Sequence, residues 1–124
     1  MPSFRSITLF SLVVAGLAPA AAHAGDPVNG AQVFRRCAIC HSTTAGTRSS
    51  VGPNLAGIVG RRAGTGAFNY SQAMKNAGFV WTAEKLDEFL LRPNTVVRGS
   101  RMAFGGLPNA KERADVIAYL KTRK

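Results

Sequence analysis

Acidic residues are scarce in this sequence: six of them stand against 16 lysines and arginines, which gives a formal net charge of +10 at pH 7 over 124 residues. Such an excess predicts acidic partners, and nucleic acid, an acidic protein surface and anionic lipid are the candidates. Two cysteines are too few for a disulfide scaffold. The length allows one domain, and a hydrophobic content of 46% excludes wholesale disorder.

Long apolar runs are missing from residue 25 onward, but one stands at the N terminus. Arg5 precedes an uncharged, mostly apolar run over residues 7–17, and Ala22-His23-Ala24 forms a small-x-small cleavage site. The run is shorter than the roughly 20 residues that a membrane span needs. We therefore expect residues 1–24 to be a cleaved signal peptide and residues 25–124 to be the mature domain, located in the periplasm.

Strand-like alternation is missing as well, and the sequence patterns predict four helices. The predicted helices begin at Asp26, Ser71, Thr82 and Asn109. The first runs into Cys37, and the second is closed by Gly78. The third stops before Pro93, which disfavours helix at the residue that precedes it. The fourth has Glu112 in place for a capping box. The sequence therefore predicts an all-α domain.

Two long loops separate these helices. Residues 42–66 carry six glycines, and residues 93–108 lead from the third helix to the fourth. A loop of about 25 residues is unusual inside a small domain. We interpret the loops as segments that wrap a ligand.

The chemistry is concentrated in Cys37-Ala38-Ile39-Cys40-His41. Cys-x-x-Cys-His is the attachment motif of c-type haem, with two thiols for one porphyrin and an imidazole for its iron. A zinc site would need a fourth good ligand, and the mature chain offers only these three. A thioredoxin-like thiol pair would need a βαβ context. We therefore predict one covalently attached haem c (iron) as the cofactor.

The iron of such a haem has a sixth position, for which the mature chain offers two methionines. His41 is the only histidine after residue 24, and Met1 leaves with the signal peptide. Met74 stands in a short helical stretch, where methionine usually fills core space. Met102 stands in a glycine-flanked loop that can carry its thioether to the iron. Met102 is therefore favoured over Met74.

With these residues identified, the sequence resembles the class I c-type cytochromes, in particular the mitochondrial and bacterial respiratory cytochromes c. The resemblance covers residues 25–121. It is carried by Cys37–His41, Gly52-Pro53-Asn54-Leu55, Gly60-Arg61-Arg62, Phe68-Asn69-Tyr70, Trp81, the Met102 loop and residues 112–121. The resemblance implies the cytochrome c fold, in which the N- and C-terminal helices cross, here with Gly30 and Phe34 against Val116 and Tyr119. It also implies an apolar cavity between Cys40, His41, Met102 and Leu55.

The resemblance also implies a role for each site residue. Cys37 and Cys40 would form the thioethers, and His41 and Met102 would be the axial ligands. The Pro53 carbonyl would accept a hydrogen bond from the His41 ring. The haem propionates would contact Arg61, Tyr70 and Trp81, with a hydroxyl contact from Ser100. The sequence departs from the family at Met74 and Phe89, where mitochondrial members usually carry Asn and Tyr.

With both axial positions filled, the expected function is one-electron transfer rather than enzymatic catalysis. The chain is predicted to be a soluble periplasmic electron carrier between larger respiratory or dehydrogenase complexes, a monomer without stable membrane insertion. Two alternatives stay open: a dedicated haem subunit of one periplasmic dehydrogenase, and a thiol-disulfide oxidoreductase using Cys37 and Cys40. The expected partners are acidic docking surfaces of redox proteins, not nucleic acid. A set of arginines is expected near the haem, where their positive charge would steer the acidic partners: Arg35, Arg36, Arg48, Arg61, Arg62, Arg98 and Arg101.

Overall fold

The structure is a computed structural model that describes residues 1–2, 11, 13–16 and 24–124. Most of the predicted signal peptide, including residues 3–10 and 17–23, lies outside the described residues. No helix in the described part of the chain is long and apolar enough to cross a membrane.

Five helices carry the described domain, and the only strand-like pairing within residues 24–124 is an isolated bridge between Arg62 and Val80. The helices are α1 (Pro27–Phe34), α2 (Gln72–Lys75), α3 (Ala83–Leu91), α4 (Pro93–Val96) and α5 (Ala110–Lys121). The prediction of an all-α domain is confirmed.

Side-chain caps start the four predicted helices where the sequence indicated. Asp26 accepts from the Val28 N–H at 2.9 Å, and Ser71 accepts from the Met74 N–H at 3.1 Å. Thr82 does the same at the start of α3, and Asn109 accepts from two N–H groups at the start of α5. These bonds satisfy donors that the first turn of a helix leaves without partners.

The structure corrects four details of the prediction. α2 ends at Lys75 with Asn76 as its C-cap, so Gly78 does not close it. α1 ends at Phe34 and does not run into Cys37, because the Cys37 and Ala38 N–H groups both bond to the Phe34 carbonyl and the chain tightens into turns. The predicted second loop contains the short α4. Only half of the predicted capping box forms: the Asn109 side chain accepts from the Glu112 N–H at 3.1 Å, whereas the Glu112 carboxylate pairs at 2.7 Å with Arg36, which lies just after α1.

α1 and α5 cross in direct backbone contact. A Cβ atom at Gly30 would lie 1.9 Å from the Asp115 carbonyl oxygen, so only glycine permits this approach. One turn further on, the Phe34 and Tyr119 rings pack with their centroids 5.3 Å apart. The crossing therefore lies where the sequence predicted it.

A buried carboxylate joins the two crossing helices. The Asp115 side chain is only 1% exposed, and it accepts hydrogen bonds from the Asp26 N–H, the Lys111 ammonium and the Asn29 amide at 2.6–2.8 Å. These donors, with the Asp26 N–H first, lower the pKa of Asp115 to about 2. The carboxylate is ionised at neutral pH and holds the start of α1 against α5.

α3 closes the other side of the core. Leu86, Phe89 and Leu90 are buried along one face of this helix. Phe89 packs edge-on against Trp81, with centroids 4.9 Å apart. The buried Arg113 of α5 donates to Asp87 of α3, and also to the carbonyls of Leu107 and Pro108. This arginine fixes the end of the loop that precedes α5.

Candidate functional site

A largely apolar cavity of about 430 Å³ opens between the helices and the two long loops. The predicted boundary residues Cys40, His41, Leu55 and Met102 all line it. Its further walls come from the end of α1, from α2 and α3, from α5 and from the loop after α4: Phe34, Met74, Leu86, Phe89, Leu90, Phe104, Val116 and Leu120. The cavity is therefore built by four of the five helices together with the long loops.

Both cysteines of the motif reach the cavity as half-buried free thiols, three residues apart in one turn of chain. The turn follows from the Cys40 N–H donating to the Cys37 carbonyl at 3.1 Å and the His41 N–H to the same carbonyl at 2.9 Å. Burial raises the pKa of Cys37, although the neighbouring Arg36 opposes the shift. A raised pKa disfavours the thiolate of Cys37, so this thiol beside an apolar cavity suits a thioether bond better than thiolate chemistry.

His41 is held in one tautomer and one orientation. Its Nδ1 lies 2.7 Å from the Pro53 carbonyl oxygen, and a carbonyl can only accept, so Nδ1 carries the proton. Burial lowers the pKa of His41, and the Pro53 bond only partly opposes this. The imidazole is therefore neutral, with the Nε2 lone pair left as a metal donor.

Gly52 makes room for that ring. A Cβ atom at this position would lie 2.7 Å from the Cys40 carbonyl oxygen and 2.8 Å from Cε1 of His41. Because such contacts cannot be accommodated without movement, Gly52 and the adjacent Pro53 together form a cradle for the imidazole. The cradle fits a histidine that serves as a fixed metal ligand.

Two methionines face the same cavity. Met102 lies in the loop after α4, where its N–H donates to the Ser100 hydroxyl at 3.2 Å. Met74 is buried in α2 and belongs to the core cluster. The structure therefore brings both methionines to the cavity.

The predicted polar contacts divide between two pockets. Tyr70, Trp81 and Ser100 line the main cavity. Arg61 instead lines an adjoining pocket of about 190 Å³, beside Arg48 and Tyr70. Its Nη2 donates to the Asn54 carbonyl at 2.9 Å, whereas its Nε is buried and has no hydrogen-bond partner within residues 24–124. An unpaired buried donor at this edge fits a carboxylate-bearing ligand.

The predicted arginine set is only partly gathered at the site. Arg36 and Arg101 line the main cavity, and Arg48 and Arg61 line the adjoining pocket. The remaining three, Arg35, Arg62 and Arg98, are exposed and line neither pocket.

Sequence reasoning missed the cavity walls from α3 and α5 as parts of the site. Leu86, Leu90, Val116 and Leu120 have the apolar spacing of a helix face, and this spacing indicates burial without showing what is buried against it. It also missed Asn69, whose carbonyl accepts a 2.6 Å hydrogen bond from Arg101. No local signal in the sequence indicates that bond.

Comparisons with known proteins all point to the same family. The family model for cytochrome c matches residues 27–124. A cytochrome c2 of Rhodomicrobium vannielii is 50% identical over 101 residues, covering 81% of each chain. A cytochrome c2 of Blastochloris viridis is 41% identical over 89% of this chain and 86% of its own. Cytochrome cH from Methylobacterium extorquens superposes with a TM-score of 0.75 at 38% identity, over 79% of this chain and 99% of its own.

Proposed function

This chain belongs to the cytochrome c family, and from that membership we propose that it carries single electrons between larger redox complexes of the periplasm. It has the cytochrome c fold, and the cofactor of the family is covalently bound haem c. Its function is therefore that of a monohaem electron carrier. The periplasmic location, with residues 1–24 as a cleaved signal peptide, and the acidic redox partners are the finer parts of the proposal.

The observation that supports this function is the donor set of the main cavity. A neutral imidazole, fixed by its 2.7 Å bond to Pro53, and a methionine thioether face one apolar space that also receives both cysteines. Haem iron supplies one-electron redox chemistry in such a site. His41 and Met102 would both hold the metal and would leave no position for a substrate, which supports a carrier rather than an enzyme.

The residues of the site fall into three groups: those that would anchor the haem, those that form its polar side, and those that form its apolar walls. Cys37 and Cys40 would provide the covalent anchors of the haem, and Pro53 keeps the His41 ring in place. Arg61, Tyr70, Trp81 and Ser100 form the polar side of the site, where the carboxylates of the porphyrin would find donors. The walls from α3 and α5 exclude water, and a fixed, dry environment keeps the reorganisation that accompanies electron transfer small.

The first experiment tests covalent attachment and processing. The full chain is expressed in a bacterial host that has a cytochrome c maturation system, and the periplasmic product is examined by mass spectrometry and by haem staining after denaturing electrophoresis. We expect one haem per chain and a mature N terminus at Gly25. A product with two free thiols and no stain would favour the thiol-disulfide alternative.

The second experiment separates the two methionines. In the oxidised protein, Met102→Ala should abolish the methionine–iron absorption band, whereas Met74→Leu should keep it. A band that survives Met102→Ala and disappears in Met74→Leu would reverse the assignment.

A further inference from the structure

α2 and α3 form one wall of the main cavity, and this wall is apolar. Met74 of α2 and Leu86, Phe89 and Leu90 of α3 line the cavity, and they are 5–9% exposed. Among residues 72–75 and 83–91, all of which the structure describes, no other side chain lines it. These four residues, the α2–α3 wall, therefore bring no hydrogen-bond donor to the cavity.

Met102 reaches the same cavity from the loop after α4 and packs against the core cluster to which the whole α2–α3 wall belongs. A thioether suits such surroundings, because its sulfur is only a weak hydrogen-bond acceptor and needs no partner when it is buried. Met74 and Phe89 are also the two positions at which this chain departs from the mitochondrial cytochromes c. The apolar wall at these positions is therefore a feature of this sequence.

Tyr70, Ser71 and Ser100 also line the cavity, but their hydroxyl groups bond to the backbone. Tyr70 donates to a carbonyl at 3.0 Å, and Ser71 and Ser100 accept from backbone N–H groups at 3.1 and 3.2 Å. A polar molecule enters a cavity when it finds polar partners there. The α2–α3 wall supplies no such partner, so a polar molecule gains no hydrogen bond on that side.

We propose that Phe89 and Met74 determine which ligand the haem iron accepts at its sixth position, because they favour the thioether of Met102 over a polar external ligand. The proposal rests on the proposed function, in which Met102 is the axial ligand. A polar ligand that enters the cavity loses hydrogen bonds to water and finds no donor on the α2–α3 wall. A hydroxyl or amide group on this wall therefore weakens the preference for the thioether.

The test uses azide as the polar ligand of the oxidised haem-bound protein at neutral pH. Azide displaces Met102, so its apparent affinity, followed by loss of the methionine–iron absorption band, measures the preference of the site. Phe89→Tyr adds one hydroxyl to the wall and should raise the apparent azide affinity about three- to tenfold, the range of one moderate hydrogen bond. Met74→Asn should raise it as well, whereas Met74→Leu, which stays apolar, should change it by less than about twofold.

Phe79→Tyr is the matched control for Phe89→Tyr. Phe79 packs edge-on against Trp81 with centroids 4.8 Å apart, is half-buried and lines neither pocket, so the same hydroxyl is added outside the cavity. We expect its azide affinity to stay within about twofold of the unaltered protein, and urea unfolding checks that every variant folds.

Stopped-flow kinetics separate ligand preference from opening of the Met102 loop. Because Met102 must leave first, the rate of azide binding reaches a limit at high azide that equals the rate of loop opening. Phe89→Tyr should leave this limit unchanged and slow azide dissociation about threefold or more, since the hydroxyl acts on bound azide. A raised limit with unchanged dissociation would show that the substitution only loosens the loop, and it would overturn the proposal.

Equal azide affinities of Phe89→Tyr and Phe79→Tyr would also overturn the role of the α2–α3 wall while leaving Met102 as the ligand. An unaltered protein that shows no methionine–iron band and binds azide as tightly as Met102→Ala would overturn the axial assignment and this proposal together. The two failures are therefore distinguishable.

Discussion

At the scale of single residues, the absence of a side chain at Gly52 decides where His41 lies. The ring occupies the space that a Cβ atom at position 52 would need, with 2.8 Å between that atom and Cε1. The Pro53 carbonyl accepts a hydrogen bond from the Nδ1–H of the same ring. Gly52 thus contributes to the site without any chemistry of its own.

Gly52→Ala should therefore displace the imidazole. The new methyl group would contact both the Cys40 carbonyl and the His41 ring, and neither is a flexible chain end. We expect the free energy of unfolding of the haem-bound protein to fall by about 1–3 kcal/mol, the usual cost of overpacking. Urea titration followed by absorption measures this change.

Gly105→Ala provides the matched control for that substitution. A Cβ atom at Gly105 would have no neighbour within 4 Å, and its backbone does not adopt a left-handed conformation. The free energy of unfolding of Gly105→Ala should stay within about 0.5 kcal/mol of the unaltered protein. Equal stabilities of the two variants would contradict the cradle.

The residues of the candidate site were predictable to the extent that their chemistry is local. The motif at residues 37–41 places its three donors in one turn, and the structure brings them to one cavity. The place of Arg61 in an adjoining pocket and the bond between Arg101 and Asn69 depend on how far long side chains extend between loops. Such distances depend on the packing of distant segments, which no short stretch of sequence specifies.

At the scale of elements, the starts of helices were easier to predict than their ends. A cap is a bond between a side chain and a backbone N–H two or three residues later, so Thr82 and Asn109 identify their helices locally. The end of α1 at Phe34 is instead imposed by the turn that brings Cys37 and Cys40 to the cavity. The short α4 follows Pro93, a residue that ends one helix and begins another equally well.

The contact between α1 and α5 should weaken in acid, because it depends on the ionised Asp115. The pKa of this group is about 2 in the folded chain and about 3.9 in an unfolded one. A lowered pKa adds stability that is fully present above about pH 4 and is lost as the pH falls through about 2. The stability difference between the unaltered protein and Asp115→Asn should therefore shrink over this interval.

Urea unfolding at several pH values between 2 and 6 measures that difference. Glu84→Gln is the control, because Glu84 is exposed at the start of α3 and makes no ion pair with another described residue. Its stability difference should stay nearly constant over the same interval. A constant difference for Asp115→Asn would show that the carboxylate does not join the two helices in the way described.

At the scale of the whole molecule, the few acidic residues are confined to helices and their caps. They are Asp26, Glu84, Asp87, Glu88, Glu112 and Asp115. Residues 27–83 and 89–111, which contain all the loops around the cavity, include none. Four of the six acidic residues form ion pairs with lysine or arginine. The loops near the cavity therefore present positive charge without compensation from their own sequence.

This distribution predicts that electron transfer to a redox protein with an acidic docking surface is steered by charge and screened by salt. The second-order rate should fall about tenfold or more between low ionic strength and 0.5 M salt, as measured by stopped-flow absorption. At low ionic strength, Arg98→Gln should slow the reaction more than Lys121→Gln, which removes the same charge from the exposed end of α5. At high salt the reaction rates of the two variants should converge, because screening removes the effect of where the lost charge lies. A rate that is independent of salt, or equal slowing by both variants, would mean that the positive loops do not guide the encounter.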